Sequence, residues 1–211
     1  MAKPPSPVRD AKEAAIIEAA RATFLAHGYD AASMDQIALA ASVSKRTVYN
    51  RFRSKEELFA AAIEETCRSI LPVDIAAIEA SLSTEEFVRA MARAFLEGIL
   101  EPEALALRRI AAFEAGRNPS LGRSYLEHGP AYMAAAFAPI LERTAKREGI
   151  RIDDVETAIY QLGALISEPL YTEVLLGAVP KDLSAAIDRQ IEQGVKAFWR
   201  IYGDQSGLQS N

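Results

Sequence analysis

A single cysteine, Cys67, stands among 211 residues. That excludes an intramolecular disulfide and any site built on several thiolates. Histidine is almost as scarce: with only His27 and His128, a metal site would need carboxylates in an arrangement the sequence does not offer. Long apolar runs are missing too. The longest, YMAAAFAPIL, stops at Glu142, well short of the ~18 residues that suggest a membrane span. The opening MAKPPSPVRD has no apolar signal core, so a cytoplasmic, reduced location is the expectation, with no membrane partner. Strand alternation is absent and β-branched residues are sparse, which argues against a sheet. Catalytic signatures are also lacking. No Gly-x-Ser-x-Gly elbow, Walker loop, Gly-x-Gly-x-x-Gly or His-Glu-x-x-His occurs, so no enzyme and no cofactor is expected.

What remains favours helix. Half of the residues are hydrophobic, ample for a packed core, and Ala, Leu, Glu and Arg dominate. A first helix is expected from Asp10 to His27 on the stripe Ile16, Ala20 and Phe24, with Gly28 placed to end it. Ser33–Gln36, Ser54–Glu57 and Ser83–Glu86 read as capping boxes, each a Ser three residues before a Glu or Gln. They open a short helix carrying Met34, Ile37 and Ala38, a connecting helix to Leu71 before Pro72, and a helix to about Leu100. Later helices are expected from Pro102 to near Arg117, from beyond the break at Pro130 to Arg147, from the cap at Asp154 to about Leu176 with a bend at Pro169, and from Asp182 to Tyr202. The result is an all-α chain of about nine helices. Residues 1–9 read as a flexible arm and 203–211 as a frayed tail.

Charge is unevenly spread. The chain carries a net −5, yet residues 1–55 hold nine Lys/Arg against five Asp/Glu. Such asymmetry points to a polyanion-binding end. The excess concentrates in SVSKRTVYNRF, residues 42–52. With Ser44 as cap and about 100° per residue, Val48 and Phe52 point inward while Arg46 and Asn50 point almost straight out. Thr47 and Tyr49 flank them, and Lys45 and Arg51 lie at the boundary. In a DNA major groove an outward Arg or Lys donates to guanine and an Asn pairs bidentately with adenine. Thr, Tyr and Lys hold phosphates, and Ser33 and Lys55, at helix starts, are further backbone contacts. A short helix, a turn through Ser42 and a second helix of this polarity make a helix-turn-helix, so double-stranded DNA is the expected partner. Two alternatives stand beside it: a helical adaptor that sets the basic helix on an acidic protein, and an enzyme assembled from scattered acids.

The segment TFLAHGYDAASMDQIALAASVSKRTVYNRFRSKEELFAAAI resembles the N-terminal DNA-binding domain of the TetR family of bacterial transcriptional regulators. The likeness rests on Phe24 with Gly28-Tyr29, Ser33, Ile37-Ala38, Val43-Ser44, Tyr49 with Phe52, and Lys55 with Leu58. It implies that Ser33, Thr47, Tyr49 and Lys55 hold phosphates while Lys45, Arg46 and Asn50 read bases. One departure is visible: the turn position often held by Gly in that family is Ser42 here, which must adopt a left-handed conformation at some cost. Farther on, PEALALRRIAAFEAGRNPSLGRSYLEHGP with LLGAVP is similar to the C-terminal domains of the AefR-like branch. The resemblance implies a helix-turn-helix domain at 10–55, a connecting helix at 56–72, and a helical domain at 73–202 that binds a small ligand and forms a homodimer.

Apolar stripes agree with a dimer. Ile187, Ile191, Val195 and Phe198 line one face of the last helix; Ile159, Leu162, Gly163 and Ile166 mark the helix before it, with small residues allowing close approach. Such stripes equally suit packing within one domain, and the resemblance favours the dimer. Phe95, Phe113, Tyr125, Tyr132, Phe137 and Tyr171 are candidates to line a pocket for a largely apolar or aromatic effector, with core packing as the alternative for each. Arg108, Arg109, Glu114 and Arg117 would orient a polar group, or form a solvated face. The implied function is a repressor that binds a near-palindromic operator and is released by its effector.

Overall fold

The computed structural model describes residues 10–71 and 75–203, and no strand occurs among them. The arm, Pro72 and the tail beyond Gly203 lie outside the described residues. Twelve helical segments follow one another, four of them of seven residues or fewer. By Cα packing the chain divides into two compact units: Met1–Ser69 with Pro102–Met133, and Ile70–Glu101 with Ala134–Asn211. This division differs from one drawn at residue 73, because the helices after Pro102 return to the first unit.

The first unit begins with α1 (Ala11–Ala31), whose start is fixed by Asp10 Oδ1 accepting from the Glu13 N–H at 2.8 Å. Gly28, at φ +76°, breaks the helical path where expected, but one more turn follows before the helix ends. α2 (Met34–Ala40) opens on a complete Ser33–Gln36 capping box. α3 (Lys45–Arg51) is capped by Ser44, whose Oγ accepts from the Thr47 N–H at 3.1 Å. At α4 (Lys55–Ile70) the box is half formed: Ser54 Oγ accepts from Glu57, but the Glu57 carboxylate reaches back to the Arg53 N–H. Phe24, Tyr29 and Phe59 meet in a three-ring core, with centroids 5.2–5.8 Å apart. Ile16, Ile37, Val48 and Leu58, all buried, bring the four helices together around it. α7 (Pro102–Ala115) packs on α1 and on α8 (Pro119–His128).

The second unit holds α5 (Ile75–Ser81), α6 (Thr84–Leu100), α10 (Val155–Ser167), α11 (Leu170–Leu175) and α12 (Leu183–Tyr202). α9 (Pro130–Arg147) starts in the first unit and continues here. Ser83–Glu86 forms a complete capping box, and Asp154 and Asp182 cap α10 and α12. The expected bend at Pro169 is a break: α10 stops at Ser167 and α11 restarts at Leu170. α12 packs on α10 and α6. The approach to α10 depends on Gly194, where an added Cβ would sit 2.4 Å from the Leu165 carbonyl oxygen. Gly163, expected to allow such an approach, has Phe95 Cζ at 4.0 Å as its nearest neighbour.

The stripes expected at a dimer interface are used inside the unit. Ile166, Ile187, Ile191, Val195 and Phe198 are all buried in the single chain, and Phe198 packs with Leu141 and Ala158. Ile159 and Leu162 lean on that same cluster. These side chains pack α10 and α12 within their own unit, Ile159 and Leu162 remaining partly exposed. Period and polarity identify the apolar face of a helix; they do not say what covers it.

Candidate nucleic-acid interface

The turn between α2 and α3 sets the geometry. Ser42 takes φ +55°, the left-handed conformation expected of that position. The Ser42 N–H reaches the Leu39 carbonyl at 3.1 Å and the Val43 N–H reaches that of Ala38 at 3.0 Å. α3 leaves this turn with Val48 and Phe52 buried beneath it. Arg46 and Asn50 lie on the opposite face, exposed, and make no hydrogen bond or ion pair with the described residues. Tyr49 is 44% exposed. Lys45 Nζ stands 2.7 Å from the Asp35 carboxylate, which holds its pKa above the usual value through hydrogen bond and charge. Both partners are well exposed, so the pair contributes little and the ammonium stays open to a competing anion.

Other polar side chains of this region bond within the chain. Ser33 and Ser44 spend their hydroxyls on helix caps, and Thr47 Oγ1 lies 2.8 Å from Ser44 Oγ. Arg51 turns back to the start of α1, its Nη2 2.6 Å from Asp10 Oδ2. Lys55 makes the most bonds within the chain. Its Nζ donates to the carbonyls of Tyr29 at 2.7 Å, Ala32 at 3.0 Å and Asp30 at 3.2 Å. It also stands 4.4 Å from the centroid of the Tyr29 ring. An ammonium has three N–H donors, so all three are engaged within the free chain, where Lys55 closes the end of α1. Lys55→Met should therefore lower the melting temperature by a few degrees, corresponding to about 1–2 kcal/mol for charge-assisted bonds. The salt slope of DNA binding should stay unchanged. A slope lower by about one at unchanged stability would return Lys55 to the phosphate contacts. Arg53 is exposed just beyond α3.

The six expected pocket residues fall three to each unit. In the second, Phe95 and Phe137 meet edge to face at 6.2 Å and Tyr171 is buried. In the first, Tyr125 and Tyr132 are half-buried, whereas Phe113 is 66% exposed with the Arg117 guanidinium 5.2 Å from its ring centroid. Phe113 therefore lines no enclosed pocket in the single chain. Of the polar candidates near it, Glu114 is buried, Arg108 half-buried, and Arg109 and Arg117 exposed. Burial pushes the Cys67 thiol up to about 12, which leaves it protonated and unreactive at neutral pH. No cluster of three or more metal-ligating side chains occurs among the described residues, and none of their helices is long and apolar enough to cross a membrane.

Comparison with known proteins agrees with this arrangement. Residues 16–62 match the model for bacterial regulatory proteins of the tetR family, and residues 86–204 match that for the C-terminal domain of AefR-like transcriptional repressors. A helix-turn-helix transcriptional repressor of Mycobacterium tuberculosis is 26% identical, with 84% of this chain and 90% of the relative aligned. Among solved structures, the flavonoid-responsive regulator FrrA is 36% identical with a TM-score of 0.71, covering 90% of this chain and 96% of its own. A TetR transcriptional regulator from Agrobacterium tumefaciens is 26% identical with a TM-score of 0.73, covering 92% and 95%.

Proposed function

Because this chain belongs to the TetR family of transcriptional regulators, whose members are DNA-binding proteins and not enzymes, we propose that it is a repressor that binds a near-palindromic operator as a homodimer and is released by a small effector. The observation that carries the DNA-reading part is the outward face of α3. Arg46 and Asn50 are exposed and unpaired among the described residues, on the face opposite buried Val48 and Phe52. Such a helix presents a guanidinium and a carboxamide to base edges, with Lys45 at its N-terminal end and Tyr49 placed for a phosphate.

A homodimer answers a problem of selectivity. One helix of seven residues touches few base pairs; two helices about 34–36 Å apart would read two half-sites. The buried stripes leave the outer faces of α10 and α12 for a partner, including Tyr160, 45% exposed, and Ile201, 52% exposed. For the effector, the 36%-identical regulator is described as flavonoid-responsive, which favours a flat, largely apolar molecule here. A ligand that prefers one spacing of the two DNA-binding heads would shift the dimer away from the operator by that difference in affinity.

Selection of bound fragments from genomic or random DNA, using the purified full chain, tests the reading. A recurring sequence with two inverted half-sites is the expected result. Enrichment with no common sequence would favour the acidic-partner alternative, and a single unrepeated half-site would remove the homodimer.

A further inference from the structure

The C-terminal end of α4 carries a cationic group whose hydrogen bonds are incomplete. Arg68 Nη1 lies 3.4 Å from Glu65 Oε2. Its Nη2 is buried and meets no acceptor among the described residues. Buried donors are nearly always matched, and leaving a charged one unmatched costs more than leaving a neutral one. The side chain as a whole is 31% exposed, so solvent reaches the guanidinium through its other atoms, and a side-chain rotation would turn Nη2 towards an incoming molecule. We infer that Arg68, with Tyr132 beside it, binds the anionic oxygen of a small, largely apolar acid, and that this acid is the effector. The inference rests on the ligand-responsive regulator reading and names the polar end of its ligand.

The surroundings restrict the chemistry. Burial opposes the charge of Arg68, but the Tyr132 hydroxyl, Glu65 and Glu64 outweigh it and keep the guanidinium cationic. The carboxylates are themselves engaged. Glu65 faces Nη1, while Glu64 Oε1 lies 3.6 Å from His128 Nε2. The other His128 nitrogen, Nδ1, is 2.9 Å from the Ser124 carbonyl oxygen. That oxygen only accepts, so Nδ1 donates and the ring is held with Nε2 towards Glu64. Two carboxylates near the guanidinium disfavour a phosphate dianion and admit a monoanion. A planar fork with an unmatched N–H suits a carboxylate or an ionised phenol. Close by, Ile63, Cys67 and Met133 are buried. Gly129 brings the corner between α8 and α9 onto α4; a Cβ there would stand 3.4 Å from Ile63 Cγ2. All of these residues belong to the first unit.

Calorimetric titration of the full chain with two matched pairs tests the inference: trans-cinnamate against methyl cinnamate, and naringenin, at a pH that ionises its phenol, against its mono-methyl ether. In at least one pair the acid should bind about tenfold or more tightly than its neutral partner, the equivalent of one charge-assisted hydrogen bond. The pair that shows the advantage identifies the oxygen as carboxylate or phenolate. Arg68→Gln should remove the advantage and leave the neutral affinity unchanged. Tyr132→Phe should reduce it several-fold. Should Arg68→Gln fail to fold, Arg68→Lys keeps the charge without the fork and should retain only part of the preference. Equal affinity for acid and neutral partner, a preference that survives these Arg68 changes, or no binding of either acid would overturn the assignment. Operator binding by the unmutated chain is measured alongside. If it persists while the acid preference fails, the regulator reading stands and the Arg68 site falls; if the unmutated chain binds no operator, the regulator reading itself fails.

Discussion

Gly194→Ala should lower the melting temperature by about 6–12 °C, the equivalent of about 3 kcal/mol in a chain of this size. The expected loss runs against helix propensity, which favours Ala over Gly by about 1 kcal/mol inside a helix. Packing decides the sign. The new methyl would fall 2.4 Å from the Leu165 carbonyl oxygen and 2.8 Å from Ile166 Cα. Both are backbone atoms of α10, so no side-chain rotation relieves the overlap and the helices must separate. Separation would loosen the packing of Phe198 with Leu141 and Ala158. It would also disturb Gln190, whose Nε2 donates to the carbonyls of Leu165 at 2.9 Å and Glu168 at 2.6 Å. Gly163→Ala is the control. Its nearest neighbour, Phe95 Cζ at 4.0 Å, leaves ordinary contact distance, so that change should be neutral or slightly stabilising. Thermal unfolding followed by circular dichroism compares the two. A harmless Gly194→Ala beside a damaging Gly163→Ala would mean that α10 and α12 are packed the other way round.

That contrast marks where sequence reading succeeds and where it stops. Caps and faces are written locally: Ser33, Ser44 and Ser83 each meet a partner three residues on, and the 3.6-residue period separates Val48 from Arg46. Contacts between distant residues carry no such signal. Lys55 finds carbonyls 23 to 26 residues earlier in the chain, and Arg51 finds Asp10 across 41. Nothing in the spacing of Ile187, Ile191, Val195 and Phe198 separates a face turned to a neighbouring helix from one turned to a second copy. Likewise, which of two glycines permits close approach depends on where the partner backbone runs. The outward polar side of α3 was legible because it depends on one helix and its turn; the uses of the other basic side chains were not, because they depend on what lies across the fold.

Arg46→Ala and Asn50→Ala should each relax operator choice at one base pair per half-site and leave binding to random DNA nearly unchanged. Neither side chain holds the fold together: both are exposed and neither is paired with a described residue, so stability should not move. Their contribution lies in the match between donor pattern and base edge, about 1–3 kcal/mol for each good bidentate contact. In a homodimer the substitution is present twice, and on a symmetric operator the two half-site losses add when the sites are well separated. A half-operator duplex should therefore show about half the loss, in free energy, of the full operator. Fluorescence anisotropy with the selected operator, single-base variants of it and a random duplex reads all three quantities. Lys45→Ala provides the internal comparison, since it also removes the tie between α2 and α3 through Asp35. That change should weaken random binding through the lost charge and specific binding further through the lost base contact. Equal losses on operator and random DNA for Arg46→Ala and Asn50→Ala would move both residues from the bases to the backbone. Base reading would then have to come from Lys45, Thr47 or Tyr49, further polar side chains on the same short helix.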